Sequence, residues 1–246
     1  MRKLETEIMM GEEEVKAYDL LTRQYLEILH AGFVETILNL STAGGRFLDV
    51  GTGTGWIAIG VAKHDPACHV TGIDLSDAML SVAAKNAESE GLGKQISFQR
   101  GNASQIPFDN NTFDGVFCHN MLHHIPEPIS LIREMKRVVK KDGAFATRDL
   151  VRHSPFVTWL HVNVFGFSYN TLMKKEYRDS ILAALSSCEW RDLFVEANIE
   201  GAKITKQFVT HHGIERSAKL RRTEYITVPA SPIARIGKKF YTSKVI

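Results

Sequence analysis

Hydrophobic positions along the chain follow two different periods. Between residues 12 and 40 the apolar side chains recur three or four positions apart, which predicts leading helices that end where the sequence STAGG begins at Ser41. From Gly45 onward, short β-rich runs such as GRFLDVG and CHVTGIDL alternate with helical runs such as SDAMLSVAAKNAESEG. This alternation is typical of parallel strands joined by crossover helices, so we predict an α/β fold.

The later part of the chain departs from this alternation. Residues 150–192 form an aromatic-rich run that predicts a helical insertion. The runs GAKITKQFVT and EYITVPA predict two final strands, separated by the basic loop HHGIERSAKLRR with a solvated His211 and His212. We therefore expect a single domain over 1–246. Its parts are a helical lid (1–40), a core (41–149), the insertion (150–192), and C-terminal strands with a basic tail (193–246).

Composition excludes several classes of protein. The 246 residues are 44% hydrophobic, and 30 Lys and Arg against 28 Asp and Glu give a net charge of +2, which provides no general attraction to nucleic acid. Ten Lys and Arg against two acids after residue 202 predict a solvated basic face. Three widely spaced cysteines favour a reducing cytoplasm over a disulfide framework or a metal site. The most apolar run, FVTWLHVNVFGF, is too short and polar to span a membrane.

The run LDVGTGTGWIAIG at residues 48–60 predicts a glycine-rich turn between a strand and a helix. Such a turn lets a ligand approach the backbone, and the amides at the start of the helix can bind its polar groups. The dinucleotide pattern G-x-G-x-x-G would place its third glycine at position 56, which is Trp56, whereas the glycines here follow Asp49 as D-x-G-x-G-x-G. Asp74, at the end of the second predicted strand, is a carboxylate that can accept two hydroxyl donors.

This spacing resembles motif I of the class I S-adenosylmethionine-dependent methyltransferases. The segments GIDLSDAML, RGNASQIPF, FDGVFCHNMLHHI and LIREMKRVVKKDGAFA match later motifs of that family in the same order, over roughly residues 40–150. The match is closest to the ubiquinone/menaquinone methyltransferase-like branch. It implies a doubly wound, seven-stranded, mostly parallel sheet with N-terminal helices and a helical insertion after strand 5. It also implies S-adenosylmethionine as cofactor and S-adenosylhomocysteine as product.

The resemblance also implies the residues of a cofactor site. In the family, the position of Asp74 binds the ribose hydroxyls and the segment around Asn102 contacts the adenine edge. The family often has Asp where this chain has Asn102, so Asn102 has to accept through its side-chain oxygen. The implied cofactor-binding residues are Asp49, Gly51, Thr52, Gly53, Gly55, Asp74, Leu75, Met79, Asn102, Ala103, Ser104 and His119.

Catalytic and acceptor-binding residues are less sharply indicated. His123 is a candidate for proton transfer because histidine titrates near neutrality; the alternative is that His123 and His124 lie in a short helix, one ring packed and the other solvated. Tyr18, Trp159 and Tyr169 are candidate acceptor-binding residues, because they lie in the two segments expected to close over the site. The aromatic residues of the insertion equally indicate a packed interface, which would make the protein a homodimer.

The acceptor is identified only by elimination. Amino-methylating nucleic-acid enzymes of this superfamily carry a D/N-P-P-aromatic turn, whereas Met121 and Leu122 follow Asn120 here. A small organic acceptor remains. Two other classes stay open: a non-catalytic S-adenosylmethionine-binding or partner protein on the same fold, and a nicotinamide-dependent oxidoreductase, which would leave Trp56 unexplained.

Overall fold

A computed structural model of the chain describes residues 2–4, 11, 15–16, 18–20, 22, 27–164, 166–167, 169–207, 210–229 and 243–245. The strands in these ranges are β1 (Gly45–Val50), β2 (Cys68–Asp74), β3 (Ile96–Arg100), β4 (Phe113–His119), β5 (Val139–Leu150), β6 (Lys203–Gln207), β7 (His211–Arg216) and β8 (Ser243–Val245). The helices are α1 (Glu27–Leu40), α2 (Trp56–His64), α3 (Asp77–Ser89), α4 (Pro128–Val138), α5 (Pro155–Val164), α6 (Thr171–Ala183) and α7 (Ser187–Ala197), with a 3₁₀ turn η1 (Leu122–His124).

All these strands belong to one sheet in the order β3-β2-β1-β4-β5-β7-β6-β8. Strands β1 to β5 pair in parallel, and β7 is antiparallel to both β5 and β6. The predicted doubly wound, mostly parallel sheet with a leading helix and helices after strand 5 is confirmed, and the short β8 adds an edge strand to the seven expected. Strand order reverses between β1 and β4, and ligands bind at the carboxyl ends of strands at such a point.

Helices cover both faces of the sheet, because its central strands are apolar on both sides. On one face α4 and α7 pack on β1 and β4, with Trp190 fully buried. On the other face α1 and α2 pack around Phe47 and Phe117. The crossover helix α3 begins as the sequence predicts, since the Ser76 hydroxyl accepts a hydrogen bond from the backbone N–H of Met79.

The C-terminal strands differ from the prediction. The run expected to be a basic loop contains β7, and His211 and His212 are each only 2% exposed, so the expectation that they are solvated was wrong. The reason is that β7 is an interior strand of the sheet, which pairs with β5 along one edge and with β6 along the other. The second predicted strand, EYITVPA, is irregular as far as residue 229 and is held against α1, where Ile226 N–H donates to Asn39 Oδ1 at 2.9 Å.

The structure describes only part of the predicted leading helices. Residues 15–16, 18–20 and 22 are helical, and α1 follows from Glu27. Leu21 and Tyr25, on which the helical period also rested, lie outside the described residues. Across the described ranges, no helix combines the length and the apolar character that crossing a membrane requires.

Candidate functional site

The glycine turn follows β1 and has one position that protein packing does not explain. All three glycines have positive φ angles. A Cβ atom on Gly51 would come within 2.8 Å of Met121 Sδ, and one on Gly55 within 3.1 Å of Ala83 Cβ, so packing accounts for both. A Cβ on Gly53, at φ +53°, would meet no protein atom within 4 Å. Gly53 therefore presents bare backbone to open space, which is the arrangement that a bound ligand needs.

Asp49 is buried at the end of β1, directly before the turn. Its Oδ2 accepts a hydrogen bond from Thr52 Oγ1 at 2.8 Å. Burial raises the pKa of Asp49 to about 7, against the lowering effect of the Thr52 hydrogen bond, and the nearby charge of Asp74 raises it further. The carboxyl group of Asp49 therefore changes its charge near neutral pH.

Asp74 ends β2 and connects the glycine turn to the start of α3. Its Oδ2 accepts the backbone N–H of Gly53 at 3.0 Å, and its Oδ1 accepts that of Ser76 at 3.0 Å. Burial raises the pKa of Asp74, while these backbone hydrogen bonds and that of Leu75 lower it. Met79 is buried one turn along α3. The residues predicted for the ribose end of the cofactor thus lie together at the carboxyl edge of the sheet.

The predicted adenine segment lies beside Asp74, since Gly101 N–H donates to the backbone carbonyl of Asp74 at 3.0 Å. Asn102 is exposed and its Oδ1 accepts the backbone N–H of Ser104 at 2.8 Å. An N–H can donate only to the amide oxygen, so this contact fixes which side-chain atom of Asn102 is oxygen. A carbonyl oxygen has two lone pairs, so Asn102 can accept a second donor. Ala103 is buried and anchors the segment in the core.

His119 and Asn120 lie where β4 ends. Asn120 has a φ of +51°, and its N–H donates to the Arg148 carbonyl at 2.9 Å. The His119 ring packs on Phe33, with ring centroids 4.9 Å apart. Burial, then the neighbouring His30, lowers the pKa of His119 well below its ordinary value. His119 Nε2 and Asn120 Oδ1 are buried without a hydrogen-bond partner among the described residues, which leaves two polar atoms at the strand end for a ligand.

His123 lies in η1 and is paired with an aspartate that the sequence analysis missed. Its Nδ1 lies 2.7 Å from Asp149 Oδ1, and its backbone N–H donates to Asp149 Oδ2 at 3.1 Å. Burial alone would raise the pKa of Asp149, but the charge and hydrogen bond of His123 and the N–H of Leu150 hold it below its ordinary value. A polar residue at the carboxyl end of β5 was the signal that could have identified Asp149.

The short helix predicted for His123 and His124 is present as η1, but the expected division of their environments is only partly right. The ring of His123 is packed as expected. The ring of His124 is not solvated: its centroid lies 4.0 Å from that of His123, and burial lowers its pKa to about 3.

Tyr18 lies close to the carboxylate of Asp74. Burial raises the pKa of the Tyr18 phenol, and the charges of Asp74 and Asp19 raise it further. Asp19 Oδ1 accepts hydrogen bonds from Trp56 Nε1 at 2.8 Å and from Asn86 Nδ2 at 2.9 Å. Trp56, which replaces the third glycine of a dinucleotide turn, therefore joins the leading segment to α2. No pattern in the sequence indicates these contacts, because Trp56 and Asn86 lie 37 and 67 positions from Asp19.

The other two predicted acceptor residues lie in the helical insertion. Trp159 on α5 lines a cavity of about 520 Å³ between α5 and α6. Tyr169 packs edge to face against Tyr177, with ring centroids 6.0 Å apart. None of the residues that line this cavity belongs to the predicted cofactor site. Their role in acceptor binding stays a prediction.

Within the ranges for which coordinates are described, no three His, Cys, Asp or Glu side chains are grouped closely enough to hold a metal ion.

Comparison with known protein families and sequences supports the sequence resemblance. A family model described as "Methyltransferase domain" matches residues 48–147. The uncharacterized methyltransferase YcgJ of Bacillus subtilis is 34% identical over 104 residues, which are 42% of this chain and 40% of that protein. Demethylmenaquinone methyltransferase of the same organism is 38% identical over 101 residues, 41% of this chain and 43% of that protein. The chain thus spans about two fifths of the curated relatives it matches.

Solved structures give a longer match. The crystal structure of YcgJ covers 72% of this chain, and 69% of its own chain is matched, at 25% identity and a TM-score of 0.54. A SAM-dependent methyltransferase from Aquifex aeolicus covers 84% of this chain and is itself matched over 97%, at 21% identity and a TM-score of 0.61, which shows the shared fold. Together with the motifs at the strand ends, these matches support a methyltransferase domain over residues 48–147 and show that the chain has the fold of the class I S-adenosylmethionine-dependent methyltransferases.

Proposed function

We propose that the chain transfers a methyl group from S-adenosylmethionine to a small organic acceptor. The observation that carries the proposal is the open backbone at Gly53, whose N–H lies 3.0 Å from the partly buried carboxylate of Asp74, at the point where strand order reverses. Packing does not require the open space above Gly53, because a Cβ there would touch no protein atom. Both features fit a ligand with vicinal hydroxyls and a polar chain that runs along the turn.

In this proposal, different predicted cofactor residues contact different parts of S-adenosylmethionine. Asp74 would accept the ribose hydroxyls, and Asn102 Oδ1 would accept the adenine amino group. The glycine turn, with Asp49 and Thr52, would hold the methionine portion, and Leu75, Met79, Ala103 and Ser104 would enclose the adenine. When bound, S-adenosylmethionine supplies a methyl group on a sulfonium, which is already an activated donor. The protein then has to orient the acceptor and exclude water.

A proton has to be removed when the acceptor loses one. Donation from His123 Nδ1–H to Asp149 makes Nε2 the basic nitrogen of the neutral ring. We therefore assign proton removal to His123, with Asp149 as the positioning residue that fixes its tautomer. Tyr18 and the insertion residues Trp159 and Tyr169 are proposed to bind the acceptor.

The remaining parts of the proposal rest mainly on expectations from the sequence. The matches to methyltransferases do not favour the nicotinamide-dependent oxidoreductase or the non-catalytic binding protein. We propose a single domain, a cytoplasmic location and no nucleic-acid partner. A homodimer through the aromatic insertion also stays a prediction, which light scattering tests.

Calorimetry tests the cofactor. We expect S-adenosylmethionine and S-adenosylhomocysteine to bind, and NAD to give no heat. Asp74→Ala should weaken binding by about 1.5–3 kcal/mol, or about 10- to 150-fold, because it removes hydrogen bonds to a charged acceptor. The matched control is Asp77→Ala, three positions along, whose exposed carboxylate lies 3.3 Å from Arg100. Tight NAD binding, or an Asp74→Ala variant that binds like the wild type, would refute the cofactor placement.

An acceptor panel with a labelled methyl donor tests the second half of the proposal. Incorporation of label into a small organic compound, dependent on the enzyme, would support it. Cofactor binding without transfer to any compound, but with transfer to a protein or nucleic acid, would replace the small acceptor by a macromolecule.

A further inference from the structure

Helix α5 exposes a row of large apolar side chains, which is unusual for a surface helix. Of its buried residues, Thr158, His161 and Val162, two are polar. Thr158 and His161 are each only 3% exposed. The exposed apolar side chains are Phe156 (71%), Trp159 (61%), Leu160 (43%), Val164 (52%) and, just after the helix, Phe167 (79%). They are half of the large hydrophobic side chains found exposed in the described part of the chain. We call these five residues the α5 face.

The α5 face is continuous along the helix. Residues 156, 160 and 164 are spaced four apart and so lie in one row, and Trp159 lies beside them. The rings of Phe156 and Trp159 are nearly parallel, with centroids 6.4 Å apart and an interplanar angle of 22°. Scattered exposed hydrophobic residues need no explanation, but a contiguous row of large apolar side chains indicates a surface that binds an apolar partner.

Cations lie directly beside the α5 face. The cavity of about 520 Å³ between α5 and α6 has apolar walls from Trp159, Val162 and Leu182, and Lys174, Lys175 and Arg178 also line it. Among the described residues that line it there is no Asp or Glu. Outside the cavity, Asp179 lies 3.6 Å from Lys175 and 3.3 Å from Arg178.

The charge of α6 remains positive when its acids are included. Its three cations are opposed by Glu176 and Asp179, which leaves a net charge of +1. The positive charge is on the cavity side of the helix, next to the apolar row. A partner that covers both features therefore has to be apolar and negatively charged.

We propose that the α5 face and the cationic cavity beside it bind the surface of an anionic lipid membrane. An interfacial helix inserts aromatic and aliphatic side chains at the boundary of headgroups and acyl chains, while neighbouring Lys and Arg contact lipid phosphates. Trp159 and Phe156 supply the apolar part, and Lys174, Lys175 and Arg178 the cationic part. This interaction requires no membrane-spanning helix.

A second copy of the chain fits the same surface less well. A twofold interface brings the same patch of both subunits together, so it would gather the net positive charge of two α6 helices at one contact. Like charges placed together oppose such an interface, whereas the phosphates of an anionic membrane would neutralise them.

Vesicle flotation of the full chain tests the proposal. We expect binding to phosphatidylcholine vesicles that contain phosphatidylglycerol, weaker binding to phosphatidylcholine alone, and a decrease in high salt. Phe156→Ser with Leu160→Ser should abolish binding, and Lys174→Glu with Lys175→Glu should weaken it about ten-fold or more. The control for the apolar change is Val195→Ser with Leu220→Ser, whose side chains are 75% and 79% exposed outside the α5 face. The control for the charge change is Lys85→Glu with Lys94→Glu, two exposed lysines away from α5.

Each outcome decides the proposal. Binding that the α5 and α6 variants lose and the control variants keep would support it, provided that all variants retain their circular dichroism spectrum. Absence of binding to both kinds of vesicle, equal binding to both, or equal loss in the control variants would overturn it. A dimer in light scattering that Phe156→Ser with Leu160→Ser dissociates, without vesicle binding, would assign the α5 face to a second copy instead.

Discussion

The space above Gly53 can be tested by the smallest possible change, addition of one methyl group. Gly53→Ala keeps the backbone N–H that donates to Asp74, and its new Cβ meets no protein atom within 4 Å. The cost to the free protein is therefore only that of a non-glycine residue at φ +53°, about 1–2 kcal/mol. For a chain of this size, we expect the melting temperature to fall by about 2–4 °C per kcal/mol. The variant should remain folded.

Gly91→Ala is a control that matches this change closely. Gly91 has a φ of +72°, a Cβ placed on it would also meet nothing within 4 Å, and it follows α3, away from the turn. Both variants should lose similar stability in thermal denaturation. Because the methyl group at position 53 occupies the space assigned to the methionine portion, only Gly53→Ala should also weaken S-adenosylmethionine binding, by about ten-fold or more, in calorimetry; Gly53→Val should abolish it.

Two results would refute this reasoning. If Gly53→Ala binds S-adenosylmethionine as tightly as Gly91→Ala does, the cofactor does not approach the backbone at Gly53. If Gly53→Ala loses far more stability than Gly91→Ala, the space above Gly53 is needed for folding rather than for a ligand, and loss of binding would then carry no information about the site.

Three further predictions concern titrating and reactive groups. His123→Asn should slow methyl transfer about 10²–10⁴-fold without weakening cofactor binding, whereas His124→Asn should have little effect on either; equal effects in rate assays would exclude a base at His123. Burial raises the pKa of Asp49 from 3.8 to about 7, so this carboxyl holds its proton in the fold but loses it in the unfolded chain between those values. The free energy of unfolding should therefore fall as pH rises through this window, by at most about 1.4 kcal/mol per unit, and urea titrations of Asp49→Asn should lack this component. Cys188 is exposed while burial raises the pKa of the other two thiols, so a thiol reagent should label one cysteine in the native protein and none in Cys188→Ser.

The sequence predicted the parts of the fold and site that depend on short stretches of chain. The glycine turn and Asp74 are recognisable because each follows its own strand directly, and parallel strands bring their carboxyl ends to one edge of the sheet. The alternation of strands and helices was equally local. The contact of Trp56 with Asp19 was not predictable, since these partners meet only when distant segments pack together. The position of Asp149 at the carboxyl end of β5 was recognisable, but its pairing with His123 was not.

Strand β7 shows the same limit in the fold. The sequence HHGIER has the composition of a solvated loop, with two histidines, an acid and a base among six residues. Its position between β5 and β6 buries it nevertheless, and its polar groups find partners there: His211 Nδ1 lies 2.7 Å from Thr210 Oγ1, and His212 Nε2 lies 3.2 Å from Ser187 Oγ. The composition of a segment indicates how well its residues tolerate water. It does not indicate that β7 pairs with β5, which lies more than 60 positions earlier in the chain.

The position of Trp159 on helix α5 bears on two hypotheses for the role of its side chain. The helical character of α5 was predictable, but periodicity alone does not say which side faces the core, and here the side with Thr158, His161 and Val162 does. Trp159 was predicted to bind the acceptor, whereas its 61% exposure beside a cationic cavity favours membrane contact. The two roles give opposite results for Trp159→Ala with a water-soluble acceptor. A pocket residue would lose methyl transfer while vesicle binding persists, and a membrane-binding residue would lose vesicle binding while transfer persists.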